Sequence, residues 1–403
     1  MSLVVQKYGG SSVANPDRIK RVARRISQYW KKGHSLAVVV SALGDTTDDL
    51  IALSRQITAA PSRREMDMLM STGEQISTAL LAMALHELGV SAVSLTGFQV
   101  GIATDSVHTR ARIIGIDAKR IQREHKKRRV TIVAGFQGMN RDGDITTLGR
   151  GGSDLTAVAM AYALRADACE IYSDVDGIYT TDPRIVRSAK KISKISYEEM
   201  LELASSGAQV MQPRSIELAG KFDVPIHVRS SFNQKNGTWI VKGDRKMEDV
   251  VVRGVSVNKN EAKVTIMDVP DRPGTAGNIF RTLANRGINV DMIVQNTSAK
   301  KKSTDISFTV PSDDLDEAIR AIGMVKPRVP RTHITAERNI SKVSVVGIGM
   351  RSHSGVAADM FEVLGKNRIN IDMISTSEIK ISCTVKKSDA EKAVKVLHAH
   401  FIK

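Results

Sequence analysis

The stretch VVQKYGGSSVA, residues 4–14, is a short apolar run that ends in a lysine, a glycine pair and two serines. An apolar run followed directly by glycines is typical of a strand that turns into a helix in an α/β fold. Glycines let backbone N–H groups approach anionic oxygens closely, and a lysine adds a point charge. A Walker A loop places its lysine after the glycines, whereas Lys7 precedes Gly9 and Gly10. The stretch therefore predicts a phosphate loop of another type, and a simple strand-to-helix turn with a surface lysine is the alternative.

Up to about residue 245, short β-rich runs such as LAVVVSA and VTIVAGF alternate with amphipathic stretches. In PDRIKRVARRISQYW, apolar residues recur at helical spacing from Ile19 to Ile26, behind Asn15 as a predicted N-cap. Such alternation predicts an α/β domain with a mostly parallel sheet that helices cover on both faces. In these folds the ligand lies beyond the carboxyl ends of the strands, which is where the glycines fall.

An internal repeat follows the polar stretch at residues 233–249. GTAGNIFRTLANRGINVDMIVQ, from Gly274, matches GVAADMFEVLGKNRINIDMIST, from Gly355. Each copy lies between strand-like runs and ends in a further helix, which predicts two βαββαβ units. The second copy is one strand short, and the run VVVRGVSVN at residues 250–258 is predicted to complete it by crossing over.

Composition limits the functional classes. The chain has 403 residues, so we expect two or three domains. Its formal net charge is +16. The basic cluster at residues 120–130 has no interleaved aromatic residues, and we interpret it as a solvated helix face rather than a nucleic-acid site. No apolar run is long enough to span a membrane, and no signal peptide is recognisable. The two cysteines, Cys169 and Cys383, lie in apolar runs, which favours the reducing cytoplasm.

A second glycine loop, TTLGRGGSD, occupies residues 146–154. Either Ser153 or Asp154 is a plausible N-cap of the apolar helix that follows. Three glycines around Arg150 exceed what a cap needs, and arginine is suited to grip a carboxylate through two parallel hydrogen bonds. The loop therefore predicts an anion site.

Three further polar residues have two possible roles each. Glu74, in STGEQISTALLAMAL, has the apolar neighbours Met70 and Leu81 on a helix, where a carboxylate is costly unless it meets a cation or a donor. A structural salt bridge and the binding of an ammonium group both remain open. Ser41 and Thr47, in VVVSALGDTTDDL, are either turn hydroxyls or ligands of a polar substrate.

These motifs together resemble one family. KYGGSS, VVSALGDTTD, STGEQIS, TTLGRGGSD, SDVDGIYTTDPR and GAQVMQP occur in the order and spacing of the aspartate kinases, within the amino acid kinase family, and the tandem repeat resembles their paired ACT domains. The resemblance covers essentially the whole chain. It implies a three-layer αβα amino acid kinase domain at residues 1–245, followed by two α+β ACT domains, at 263–340 and at 250–262 plus 341–403.

The resemblance implies transfer of the γ-phosphoryl group of ATP to the side-chain carboxylate of L-aspartate. The product is 4-phospho-L-aspartate, the first intermediate toward lysine, threonine and methionine. ATP and Mg²⁺ are the implied cofactors, without a metal site built by the protein. An aspartate side chain has a pKa of about 3.9, so it is already an anion and needs no general base.

The resemblance also implies site residues. Lys7 and Asp154 would be catalytic, because Lys7 neutralises charge on the phosphoryl group and Asp154 organises the catalytic lysines. Gly9, Gly10 and Ser11 would donate to the phosphoryl group. The implied aspartate ligands are Ser41, Thr47, Glu74 and Arg150, with Glu74 at the ammonium and Arg150 at a carboxylate, and the implied nucleotide ligands are Ser173, Asp174, Tyr179, Arg184 and Gln209. Gln209 stands where the family usually has lysine, so we expect ATP to bind with a weaker Michaelis constant.

The repeats are predicted to bind effectors. The loops DRPG at 271–274 and RSHSG at 351–355 each lead into a helix N-terminus, which favours an anion such as an amino-acid carboxylate. The implied ligands of lysine or threonine, or of both in concert, are Asp271, Gly274, Ala276, Asn289, Gln295, Asn370, Ile371, Ser377 and Glu378. The alternative is that these loops only turn the chain.

ACT units of this kind generally pair, so we expect a homo-oligomer formed through them. Met247 matches the place where some aspartate kinases start a separate short regulatory subunit, with an ordinary linker methionine as the alternative. Neither a nucleic acid nor a membrane is expected as a partner.

Overall fold

The structure, a computed structural model, describes residues 2–208, 210–243, 251–297, 303–325 and 334–402. The described residues form two compact units. The first unit contains those of Met1–Ile178, Lys191–Ala204 and Gln209–Asp244, and the second those of Tyr179–Lys190, Ser205–Ala208 and Arg245–Lys403. Gln209 and Met247 lie outside the described residues.

The first unit is built on a sheet of eight described strands. They are β1 (Leu3–Tyr8), β2 (Ser35–Val40), β3 (Ala92–Leu95), β6 (Val130–Ala134), β9 (Ala168–Ser173), β12 (Lys194–Ser196), β13 (Ile226–Ser230) and β14 (Thr238–Val241). Their order is β12-β14-β13-β9-β1-β2-β6-β3. Neighbouring strands run parallel except for β13 and β14. The predicted mostly parallel sheet is confirmed.

Helices cover both faces of this sheet. They are α1 (Pro16–Lys31), α2 (Thr46–Ile57), α3 (Arg63–Glu87), α4 (Lys119–Lys126), α5 (Gly152–Leu164), α6 (Tyr197–Ser205) and α7 (Pro213–Lys221). Because side chains alternate along a strand, Tyr8 packs into the core shared with α1 and α3, while Lys7 contacts α5 on the other face. α1 begins as predicted, since Asn15 Oδ1 accepts from the backbone N–H of Arg18 at 3.0 Å.

Short strands complete this part of the chain. β4 (Ile102–Thr104), β5 (Ile113–Ile116), β7 (Gln137–Met139) and β8 (Ile145–Thr147) form a small sheet in the order β5-β4-β7-β8. β10 (Ile178–Tyr179) and β11 (Lys191–Ile192) are shorter still. Among the helices described here and below, none has the length and apolar character that crossing a membrane requires.

The second unit is an antiparallel sheet with helices. Its strands are β15 (Gly254–Pro270), β16 (Ile293–Thr297), β17 (Ser303–Val310), β18 (Ile334–Val346), β19 (Ile374–Thr376) and β20 (Lys380–Lys386), in the order β16-β17-β15-β18-β20-β19. Its helices are α8 (Thr275–Ala284), α9 (Leu315–Ile322), α10 (Val356–Lys366) and α11 (Ala390–Phe401). Each repeat packs its own apolar core.

The two repeats share their central strands. In β15, residues 254–258 pair with residues 342–346 of the second repeat, and residues 262–266 pair with residues 306–310 of the first. The sequence predicts two separate strands here, at 250–258 and from 262 onward, whereas the structure has one strand with register shifts between Asn258 and Lys263.

Ion pairs cross between the repeats in a reciprocal way. Lys263 of β15 places Nζ 2.7 Å from Asp372 Oδ1 in the second repeat. Lys342, at the corresponding position of β18, contacts Asp291 in the first repeat and lies 3.1 Å from Glu261. Burial disfavours the charge on Lys342, yet these carboxylates hold its pKa above the usual value. The repeats are therefore joined by charge as well as by sheet pairing.

Candidate active site

The carboxyl ends of three neighbouring strands bring predicted site residues to one edge of the sheet. Tyr8 ends β1, and the backbone N–H of Ser41, just past β2, donates to its carbonyl at 3.1 Å. On the other side, the N–H of Gly9 donates to the carbonyl of Tyr172 at 3.3 Å, one residue before Ser173 ends β9. Gly9, Ser41 and Ser173 therefore lie at the same edge, as expected for a parallel sheet.

The loop after β1 is packed so closely that glycine is needed at position 10. A Cβ there would lie 2.9 Å from the carbonyl oxygen of Gly44 and 3.0 Å from that of Ala42. The N–H of Gly44 also donates to the Gly10 carbonyl at 3.2 Å. Ser11 is exposed, and its carbonyl accepts from Arg18 at 2.6 Å. Gly10 thus allows the loop after β1 to pack against the loop after β2, and Ser11 stays accessible.

Lys7 and Asp154 form a largely buried ion pair beside this loop. Lys7 Nζ lies 2.7 Å from Asp154 Oδ1, with side-chain exposures of 12% and 9%. Asp154 occupies the first turn of α5. A Cβ added to Gly9 would lie 3.3 Å from Lys7 Nζ, so the amine is next to the glycine loop. The structure places a positioned cation where the sequence predicts an anion site.

Glu74 is buried without an ion-pair partner among the described residues. Its Oε1 accepts from the backbone N–H of Ala42 at 3.2 Å, and its Oε2 has no hydrogen-bond partner in the part of the chain that the structure describes. Burial raises the pKa of Glu74 to about 7, against the smaller opposing effect of backbone hydrogen bonds. This geometry disfavours the structural salt bridge and leaves one carboxylate oxygen free for a ligand.

Arg150 lies in a loop with left-handed glycines on either side. Gly149 has φ +81° and Gly151 has φ +72°. The guanidinium is 91% exposed and lies 3.1 Å from the carboxylate of Asp48, the residue after Thr47 at the start of α2. The loop thus leaves the Arg150 side chain accessible to solvent, and its role as a carboxylate ligand of the substrate stays a prediction.

The predicted nucleotide residues fall in different parts of the structure. Ser173 Oγ accepts from the N–H of Val175 at 3.2 Å, and Asp174 is exposed, both in the first unit. Tyr179 and Arg184 belong to the second unit, where Arg184 Nη2 lies 2.7 Å from Asp182 Oδ2.

The predicted effector residues all lie in the second unit, and Asp271, Gly274 and Ala276 are at or next to the start of α8. Gly274 and Gly355 precede α8 and α10 with φ +89° and +99°. Glu378 lies 3.0 Å from Nε of Arg351 in the RSHSG loop, so strand and loop meet in the second repeat. Asp271, Asn289, Gln295, Asn370 and Ser377 are exposed, whereas Ala276 and Ile371 are half-buried.

Two residues at the site were missed by the sequence reasoning. Gly73 in α3 approaches the loop after β2, since a Cβ there would lie 2.8 Å from Ala42 Cβ. Arg214 donates to the carbonyls of Leu148 at 2.9 Å and Ala111 at 3.2 Å, which holds the Arg150 loop. A glycine inside a helical pattern is a signal of close packing, and this signal was available for Gly73 but was not used. No sequence signal marks Arg214.

The comparisons with known proteins agree with this geometry. A model of the amino acid kinase family matches residues 2–230, and an ACT domain model matches residues 267–324 and 343–401. An aspartate kinase of Stutzerimonas stutzeri is 50% identical over 402 residues, which are 100% of this chain and 97% of that protein.

Solved structures extend the match to three dimensions. The aspartokinase III of Escherichia coli in complex with aspartate and ADP, in its R-state, is 28% identical with a TM-score of 0.83, over 100% of both chains. The same enzyme with lysine and aspartate, in its T-state, is 27% identical with a TM-score of 0.77, again over 100% of both. The resemblance and the fold class predicted from the sequence are confirmed. The chain belongs to the aspartate kinases, phosphotransferases of the amino acid kinase family that carry ACT domains.

Proposed function

We propose that this aspartate kinase brings the side-chain carboxylate of L-aspartate and the γ-phosphate of ATP together at the edge of the first unit's sheet. The observation that carries the proposal is the buried Lys7–Asp154 pair beside the glycine loop. Both reactants are anions near neutral pH, so the main obstacle is their repulsion. A fixed cation and backbone N–H donors reduce that repulsion most where charge develops in the transition state.

The proposed site residues form a phosphoryl-donor side and an acceptor side. Asp154 orients the Lys7 amine toward the transferred phosphoryl group, which Gly9, Gly10 and Ser11 line. ATP is the donor, in line with the ADP in the E. coli structure. Mg²⁺ bound with the nucleotide would offset the remaining phosphate charge. The nucleotide ligands are Ser173, Asp174, Tyr179, Arg184 and Gln209.

On the acceptor side, the free Oε2 of Glu74 takes the ammonium group of aspartate. An ammonium there favours the ionised carboxylate and lowers its pKa. Arg150 grips the α-carboxylate in place of its contact with Asp48. Ser41 and Thr47 supply hydroxyl ligands.

We further propose that the ACT domains inhibit the kinase when lysine, threonine or both bind. The lysine in the T-state structure of the E. coli relative supports an effector of this class, and the glycine-capped starts of α8 and α10 offer N–H groups for its carboxylate. For the domain boundaries we propose a kinase domain at 1–245 and ACT domains at 263–340 and at 250–262 plus 341–403, with a homo-oligomer formed through the ACT domains. The proposal includes a short regulatory subunit that starts at Met247. It also includes a cytoplasmic location, which agrees with two cysteines that are free and buried.

A hydroxamate assay with ATP, Mg²⁺ and L-aspartate tests the central assignment. Lys7→Ala should lower kcat on the order of 10²-fold or more, with a smaller effect on the Michaelis constant for aspartate. Lys20→Ala, an exposed lysine of α1, is the control and should match wild type. Near-normal kcat in Lys7→Ala would reject the role of Lys7, and a wild type that forms no acyl phosphate would favour a purely regulatory protein.

A further inference from the structure

A buried carboxylate near the start of α3 joins three separate segments of the first unit. Asp67 has no exposed surface. Both of its oxygens accept from the backbone N–H of Thr109, at 3.0 and 3.1 Å, and Oδ2 lies 2.8 Å from Nδ1 of His108. The hydroxyl of Thr147, at the end of β8, donates to Asp67 Oδ1. One side chain thus connects α3, the turn at residues 105–111 and the strand that leads into the Arg150 loop.

The turn that Asp67 holds is strained. Thr109 has φ +68°, a left-handed conformation that is rare for a β-branched residue and costs energy. Its carbonyl oxygen lies against the Arg150 loop, because a Cβ at Gly149 would be 3.3 Å from it. A strained turn persists only where its surroundings enforce it, and here the Asp67 carboxylate accepts its N–H on both oxygens.

Asp67 is close to both proposed ligands of aspartate, to Glu74 along α3 and to Arg150 through its contact with Thr147. Glu74 follows it by seven residues, so the two carboxylates share one face of α3. Thr147 precedes Arg150 by three residues. We propose that Asp67 is a positioning residue for aspartate recognition, which sets Glu74 and Arg150 at the spacing of the substrate's ammonium and carboxylate groups. This inference rests on the proposed roles of Glu74 and Arg150.

Two variants test this role with little change of shape. Asp67→Asn removes the charge and turns one acceptor into a donor, and Thr147→Val removes the hydroxyl that binds Asp67. In both, we expect the Michaelis constant for aspartate to rise about tenfold or more, the size expected for a lost charge-assisted hydrogen bond. The Michaelis constant for ATP should stay within about twofold. Thr147→Ser keeps the hydroxyl and should restore the wild-type value.

A matched control separates positioning from stability. Glu199 of α6 is as buried as Asp67 and accepts from the hydroxyl of Ser196, the last residue of β12. Glu199→Gln should lower the melting temperature without a selective change in the Michaelis constant for aspartate. If Asp67→Asn fails to fold, the Michaelis constants for aspartate of Thr147→Val and Thr147→Ser are compared instead. A constant raised only in Thr147→Val supports the positioning role, and equal constants overturn it.

The outcomes also separate this inference from the proposed aspartate site. Suppose that the Asp67 and Thr147 variants fold and keep a normal Michaelis constant for aspartate, while Glu74→Gln raises that constant. This result would overturn the positioning role of Asp67 but not the proposed aspartate site. Equal effects on both substrates, or effects that Glu199→Gln reproduces, would also overturn it. If Glu74→Gln and Arg150→Ala themselves leave aspartate binding unchanged, the proposed site is wrong.

Discussion

Glu74 combines burial with a carboxylate oxygen that has no hydrogen-bond partner in the described ranges, and this combination determines how its charge responds to a ligand. Burial raises its pKa to about 7, so the free enzyme holds both protonation states near neutral pH. An ammonium group at Oε2 binds the ionised form and lowers the pKa. Aspartate binding is therefore linked to release of a proton, and it should strengthen as the pH rises through about 7.

Glu74→Gln tests this linkage. Glutamine keeps the shape of the protonated carboxyl but cannot ionise, so we expect a Michaelis constant for aspartate raised about tenfold at pH 8, the effect of losing a hydrogen bond to a charged group. The difference should narrow at pH 6, where wild-type Glu74 is largely protonated in the free enzyme. Initial rates at varied aspartate between pH 6 and 8.5 measure both trends, and ATP is the internal control. A wild-type constant with no pH dependence in this range would contradict the assignment.

Single residues differ in how far the sequence predicts them. Lys7 and Glu74 stand in short local motifs whose chemistry is visible. The structure places Lys7 beside a buried carboxylate, and it shows no cation at Glu74 among the residues it describes. Asp67 was not predicted, because its partners at positions 109 and 147 are distant in sequence and become neighbours only in the fold.

The contact of α3 with the loop after β2 depends on a glycine inside the helix. Gly73 lies beside Ala42, and the next residue, Glu74, accepts from the N–H of Ala42. Alanine normally stabilises an exposed helix by about 1 kcal/mol relative to glycine. Here the added Cβ would be 2.8 Å from Ala42 Cβ, so the helix must move away from the loop.

We therefore expect Gly73→Ala to destabilise the protein by about 1–3 kcal/mol, as overpacking does, and to raise the Michaelis constant for aspartate. Adding Ala42→Gly removes the opposing methyl group and should recover most of both losses. Urea unfolding and initial rates measure the effects. Gly365→Ala in α10, where no described atom outside the helix's own backbone lies within 4 Å of the added Cβ, is the control and should not destabilise the protein. A stabilised Gly73→Ala with normal aspartate kinetics would show that the contact is unimportant.

Elements with local signals were predicted well, and elements that depend on distant partners were not. The start of α1 follows from Asn15 and Pro16. The continuous strand β15 does not follow from its sequence, because the polar run around residues 259–261 looks like a turn. Glu261 is tolerated in that strand since it is buried against Lys342, a partner some 80 residues away.

At the scale of the whole molecule, two segments predicted within the kinase domain are grouped with the second unit, residues 179–190 and 205–208. Ile185 and Val186 pack against the core of the second repeat. Thr180 Oγ1 lies 2.9 Å from Nε2 of the buried His398 in α11. Burial and the charge of Lys190 hold the pKa of His398 below its usual value, so this bond joins neutral groups near pH 7. Sequence periodicity cannot assign such short segments to a unit, because only packing decides it.

Segment 179–190 also carries Tyr179 and Arg184, two of the proposed nucleotide ligands, so its packing on the second repeat offers a route for effector inhibition.

Wild-type enzyme should be inhibited by lysine, threonine or both. Thr180→Val and His398→Leu each break the hydrogen bond between Thr180 and His398. Each should raise the half-inhibitory effector concentration about tenfold, within the usual range of coupling energies, while uninhibited kcat stays within about twofold. Thr180→Ser keeps the hydroxyl and should behave as wild type. Ser344→Ala, which removes a 2.7 Å contact with Ser382 between β18 and β20, is the matched control and should leave inhibition intact. Variants at Thr180 and His398 that remain fully inhibited would place the coupling elsewhere, and a wild type indifferent to lysine and threonine together would refute effector control itself.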